Sequence, residues 1–313
     1  MPDKFIKNNL KVINKIIKLA KSELKQEYSE LFEEFIRQFY YRADSKFLQK
    51  ASVEKLFYSC HNCFKFIETR PKIKKRQVRI FNPDEKKHGW KSEKTVVQVN
   101  LDDSPFILDS ITQYLFQNER TLNVVIHPIV NCVRDDEGKL TQIIPDKRDV
   151  REYSHLESVI HIEINHIADK ELQQQIKKEI DNVLECVDLA VTDWREMLNQ
   201  VDRTIARVVN LDKEMVDSDE VNESVDFLKW AKENNFIFLG YRDFDFEEGE
   251  DVKFNNKSEL GIFKSKINRD YDNRIKGIPY SSDVILKNSQ LVEITKSSRK
   301  SIVHRPVHMD YIA

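Results

Sequence analysis

The sequence predicts an α+β protein: amino-terminal helices, a ferredoxin-like antiparallel sheet with helices on one face, and the start of a second α+β domain. Three observations lead there. Apolar residues recur at helical spacing as far as Ile67, and from Arg76 the period changes to two. The middle of the chain then reads β-β-α-β-β-β-α, which contains the β-α-β-β-α core of a ferredoxin-like unit. At 313 residues there is enough chain for two or three hydrophobic cores.

The first helix follows from Ile6, Leu10, Ile13, Ile17, Ala20, Leu24, Leu31 and Phe35, spaced by three, four and seven, with Lys and Glu opposite. A second helix covers Ser52 to Phe66, with Val53, Leu56, Phe57, Cys60, Phe64 and Ile67 inward. Val78 and Ile80, then Val96, Val97, Val99 and Leu101, mark two strands joined by a loop. Asp102-Asp103-Ser104-Pro105 reads as a helix start, with Ser104 as N-cap and Pro105 in the first turn. That helix runs through Ile107, Leu108, Ile111 and Leu115 to about Asn118. Leu122 to Val133 is a long β-rich run, turned by Asp135-Asp136-Glu137-Gly138 into a strand at Leu140 to Ile144. Ser158 to Ile164 alternates as a strand, and a helix begins at Asp169. The acidic run Asp217 to Glu223 marks a boundary, and Phe236 to Phe244 reads as strand, with further strands near 260–263, 290–295 and 301–303. The expected domains are residues 1–75 (helical), 76–210 (sheet) and 221–313 (second α+β).

Bulk composition narrows the function. A formal net charge of −2 gives no general attraction to nucleic acid or anionic membrane. The six glycines are never clustered, so neither a dinucleotide-binding Gly-x-Gly-x-x-Gly turn nor a phosphate-cradling loop can be read, and no cofactor is expected in this chain. The start lacks a signal peptide, and Cys60, Cys63, Cys132 and Cys186 are expected to stay reduced in a cytoplasmic protein.

Four motifs invite chemistry. Cys60-His61-Asn62-Cys63 lies inside a helical stretch rather than at a helix start, which favours packing over redox chemistry or zinc. In His161-x-Glu163-x-x-His166 the strand period places His161 and Glu163 on one face and His166 on the other, so they read as hydrogen-bonded strand residues. Arg70 to Arg76 reads as a solvated basic linker. Asp102-Asp103-Ser104-Pro105 is the best ligand candidate: the carboxylates suit an ammonium group and the helix N–H groups suit a carboxylate, together fitting an amino acid. Plain capping of a structural helix is the competing reading. No residue has a readable catalytic partner, and no metal set is expected.

Several segments resemble the large bacterial NAD-specific glutamate dehydrogenases. They are Val78 to Pro83, His88-Gly89-Trp90, Thr95 to Asn100, Asp102 to Ser110 and Val125-Ile126-His127-Pro128. Val191 to Arg195, Phe236 to Asp243, Ile294 to Ser297 and Ser301 to Ile312 follow in order. The resemblance covers roughly residues 76–313 and implies the amino-terminal, non-catalytic portion of such an enzyme, with an ACT-type regulatory sheet. It also implies that NAD and the conversion of glutamate to 2-oxoglutarate and ammonia belong to a catalytic domain far downstream. The implied partners are that catalytic portion, further copies in a homo-oligomer and an amino-acid effector, with neither nucleic acid nor membrane. The effector would meet Asp102, Asp103, Ser104 and Asp109. Ala313 lies inside the last matching stretch, so the second domain is expected to be incomplete. A free-standing amino-acid sensor of ACT type is the alternative.

Overall fold

The computed structural model describes residues 2–27, 29–71, 73, 75–146, 148–149, 151–211, 216–245, 253–265 and 291–313. It divides into two compact units, one of residues 1–104 and 114–181, the other of residues 105–113 and 182–313. It is an α+β fold with helices at the amino terminus.

In the first unit, α1 (Pro2–Leu24), α2 (Glu30–Tyr41), α3 (Ser45–Lys50) and α4 (Val53–Ile67) form a helical cluster. The long apolar stripe expected of one helix is divided between two. The chain breaks at Lys25–Glu27, where Lys25 has φ 47, and α2 restarts on its N-cap Ser29. Ile16 joins Ile13, Ile17 and Ala20 in the buried face, whereas Leu10 is partly exposed. Ser52 caps α4 by accepting the Lys55 amide, and six-residue α3, too short to show a period, starts on Asp44. Asn9 ties α1 to the end of α2, donating to the carbonyls of Tyr40, Tyr41 and Ala43.

The sheet contains β1 (Arg76–Phe81), β2 (Lys94–Asp102), β3 (Leu122–Ile126), β4 (Ile129–Arg134), β5 (Leu140–Ile144) and β6 (His155–Asn165). Between β1 and β2 lies the single-turn helix α5 (Glu85–His88). The order is β1-β2-β6-β4-β5, and β3 pairs the far half of β6, all pairs being antiparallel. β3 and β4 are one β-rich run interrupted at His127-Pro128: Ile126 faces His161 and Ile129 faces Ser158, so the register resumes after the gap. Proline has no N–H to give the ladder. This is the neighbour order of a ferredoxin-like sheet about its β2-β6-β3/β4 core, with β1 from the amino-terminal side occupying the outer edge.

Both faces of the central strands are buried. On one, Ile126, Val130, Cys132, Leu140, Ile143 and Val159 share a continuous core with α1 to α4. On the other, the pleat places Val97, Val99, Ile160, Ile162 and Ile164, all fully buried. Gly138 turns β4 into β5 at φ 82; a Cβ there would meet the Arg70 carbonyl at 2.1 Å, so a side chain is excluded.

Helix α6 spans Ile107–Gln117 and α7 spans Lys170–Val209 without interruption. The helix start expected at Ser104-Pro105 falls later. Pro105 and Phe106 form a turn, Phe106 has φ 72, and its carbonyl accepts the Ser110 amide, so Ser104 does not cap α6. In the second unit, α8 (Ser218–Trp230) absorbs the acidic run read as a boundary: Asp217 is its N-cap, and Asp219 and Glu220 sit in its first turn, where the helix dipole favours carboxylates. Within the expected strand from Phe236 to Phe244, ladder pairing takes in β7 (Gly240–Tyr241), against Leu260–Gly261, and the terminal Phe244. A short ladder joins Phe244–Asp245 to Lys253–Phe254, and Ile294–Lys300 pairs with His308–Ile312. Ser301–Val303 is the turn before that last strand rather than a strand, closed by the Ser301 amide on the Val307 carbonyl. Gln290, named as a strand start, lies outside the described residues.

Candidate functional site

The end of β2 carries two adjacent carboxylates, and strand alternation sends them to opposite faces. Asp102 is opposite Glu157 in register and pairs with Arg70 at 2.5 Å, while its own side chain remains 71% exposed. Asp103 is on the other face: its amide donates to the Leu156 carbonyl and its Oδ1 accepts the Ser158 hydroxyl at 2.6 Å.

On the Asp102 side lies a buried ionic cluster. Glu157 Oε1 accepts Arg134 Nε at 2.6 Å, Arg70 Nη2 at 2.9 Å and His155 Nε2 at 2.8 Å. Its Oε2 accepts Asn100 Nδ2 at 2.7 Å and Arg134 Nη2 at 2.8 Å. Arg134 also donates to the carbonyls of Ile67 and Gly138, joining the end of α4 to the β4–β5 turn. Burial by itself would raise the Glu157 carboxyl, but the hydrogen bonds from Arg134 and His155 and the charges of both arginines hold it well below the usual carboxylate range. Arg70, read from the sequence as part of a solvated linker, is buried because Glu157 and Asp102 face it. Arg76 likewise pairs with Asp181, while Lys72 and Lys74 of the same run lie outside the described residues.

Asp102, His155 and Glu157 hold ligand-type atoms within 4.8 Å of one another, an arrangement that could grip a cation. Arg70 Nη2 stands 2.5 Å from Asp102, 2.9 Å from Glu157 and 3.5 Å from His155. The guanidinium thus occupies the position a metal would take, and a second arginine beside it opposes further positive charge. The cluster is therefore a clamp between sheet and helices.

On the Asp103 side, Ser158 links two of the motif segments, because its Oγ also meets His127 Nε2 at 2.9 Å. The serine proton is directed at Asp103, so His127 donates to the hydroxyl and cannot draw a proton from it. That order is the wrong one for a serine nucleophile. The arrangement presents a carboxylate held by a serine hydroxyl, which suits electrostatic recognition of a cationic group.

Ser104 is partly exposed in the loop after β2. Asp109 belongs to the second unit, where its carboxylate is 3.3 Å from His304 Nδ1, the His304 amide donates to Ser110 Oγ and the Phe106 ring lies 4.8 Å from the imidazole. Phe106 and His304 both have positive φ, 72° and 65°. His161 and Glu163 do share a face: His161 Nδ1 meets Gln98 Nε2 at 2.9 Å, and Glu163 pairs with Lys55 of α4 at 3.0 Å. Burial, aided by the charges of Lys55 and Arg79, pushes His161 down to about 3 and keeps the ring neutral. Cys60 and Cys63 are buried in α4, and burial raises both thiols, Cys63 to about 12, the opposite of reactive cysteines. Sequence reading did not find Arg70, Arg134, His155 and Glu157 as a set. The one signal was polar residues on the inward face of a strand otherwise rich in Ile and Val.

Residues 35–180 match the family model of the glutamate dehydrogenase ACT1 domain. The chain is 31% identical over 242 residues to an NAD-specific glutamate dehydrogenase of Halomonas elongata, covering 76% of this chain and 15% of that protein. It is 29% identical over 243 residues to the protein of the same name from Pseudomonas aeruginosa, with the same coverage of each. The chain thus spans about 15% of the length of the curated relatives it matches. Among the described residues, no helix is long and apolar enough to cross a membrane.

Proposed function

We propose that this chain, a relative of the NAD-specific glutamate dehydrogenases, acts as a regulatory and assembly segment and does not itself oxidise glutamate. The observation that carries the reading is the ACT1 match over residues 35–180, which enclose α4, the whole six-stranded sheet and its ionic clamp. In this role the sheet is a rigid platform, and the loop at Asp102-Asp103-Ser104 presents charge at its edge.

The effector class that fits is a free amino acid. Its ammonium would meet Asp103, whose carboxylate is held by the neutral Ser158 hydroxyl rather than by a cation. Asp102, already paired with Arg70, contributes less. Catalysis, NAD binding and the glutamate substrate belong, in this reading, to a catalytic portion with which the segment associates in a cytoplasmic homo-oligomer. Purified chain supplied with glutamate and NAD is expected to form no NADH by absorbance. Steady glutamate-dependent NADH formation would overturn the non-catalytic assignment.

A further inference from the structure

Two helices carry matching stripes of opposite charge. On α1, Lys11, Asn14, Lys15 and Lys18 are exposed, while Ile13, Ile16, Ile17 and Ala20 face the core. On α8, Asp219, Asn222, Glu223 and Asp226 are exposed, while Ser224, Val225 and Leu228 are buried. The charged positions fall at i, i+4 and i+7 in both helices, with an asparagine at i+3 in both, so each stripe runs about 10 Å along one helix face. Among the described residues none of the six charged side chains has an ion-pair partner.

We propose that the lysine stripe of α1 docks against the carboxylate stripe of α8 on a second copy of this chain. The charge complementarity and the equal spacing select this occupant, since a parallel apposition brings Lys11, Lys15 and Lys18 opposite Asp219, Glu223 and Asp226. A lipid surface fits less well: the apolar face of α1 is already used in the core, leaving nothing to insert between lipids. Exposed ion pairs are individually weak and screened by salt, so the association is weak, additive over three pairs and steeply salt-dependent.

This names a surface for the assembly role proposed above and rests on that reading. The test is sedimentation velocity of the whole chain at about 0.02 M and about 0.5 M salt, between which the screening length falls from about 20 Å to about 4 Å. Self-association at low salt, weakened at least about tenfold at high salt, is expected. The triple variant Lys11→Glu, Lys15→Glu, Lys18→Glu and the triple variant Asp219→Lys, Glu223→Lys, Asp226→Lys should each fail to self-associate. An equimolar mixture of the two should associate, because each then offers what the other lacks, and that rescue shows that both variants are folded. A wild-type chain that stays monomeric at low salt, or a mixture that fails to associate, overturns the proposal. So does binding of anionic vesicles or RNA by the wild type without self-association. Self-association untouched by either triple variant overturns this surface while leaving the assembly role standing.

Discussion

Glu157 joins two arginines, a histidine and an asparagine from separate strands and from the segment after α4, so its removal leaves two buried guanidinium groups short of a counter-charge. Glu157→Gln is expected to cost about 3–5 kcal/mol, read as a lower urea midpoint for the first unit. Because the folded carboxyl lies below its unfolded value of about 4.3, its contribution is fully present above that pH and is lost as pH falls from there through the lower folded value. His161 acts earlier in an acid titration. Its folded value of about 3 is below an unfolded value of about 6.5, so acidification through that window favours the unfolded chain, which alone takes up the proton. His161→Gln should flatten part of the stability loss between about pH 6.5 and about pH 4; an unchanged slope would contradict a neutral buried imidazole. The strand period alone paired His161 with Glu163. Nothing in the local sequence could join Arg70 to Glu157, because ion pairs across 87 positions depend on the tertiary fold.

Among elements, legibility followed length and caps. Helix α4 was readable because Ser52 precedes a regular apolar stripe, and that hydroxyl does accept the Lys55 amide. Asp102-Asp103-Ser104-Pro105 has equally good cap chemistry, yet the helix waits until Ile107 because Asp103 is tied back to Leu156 and Ser158 of β6. Tertiary hydrogen bonds there outweigh a local preference. Ser52→Ala should accordingly lower stability by about 1 kcal/mol, whereas Ser104→Ala should stay within about 0.5 kcal/mol. Equal losses in thermal or urea unfolding would return Ser104 to the capping role. Pro128 divides β3 from β4 for a reason any sequence displays, the missing N–H, but the resumed register could not be foreseen. The Phe236 to Leu239 stretch has strand composition, yet ladder pairing begins only at Gly240, since composition cannot supply a neighbouring strand.

For the molecule as a whole, the α+β class and the order of sheet elements were legible from the change of period near Arg76. The shared core of α1 to α4 with the sheet was not, because a helical stripe does not say what it packs against. The candidate ligand loop was found by composition, but its two carboxylates have separate duties: Asp102 belongs to the clamp and Asp103 remains available to a cationic group. The amino-acid effector proposed above would set its ammonium against Asp103, beside Ser158 and His127. The most direct test is thermal unfolding of the purified chain across a panel of free amino acids. One amino acid at about ten times its dissociation constant should raise Tm by about 3–5 °C, and Asp103→Ala should abolish that shift while leaving the unliganded Tm nearly unchanged. No shift with any amino acid at millimolar concentration, or a shift that survives Asp103→Ala, would contradict the assignment of the effector site.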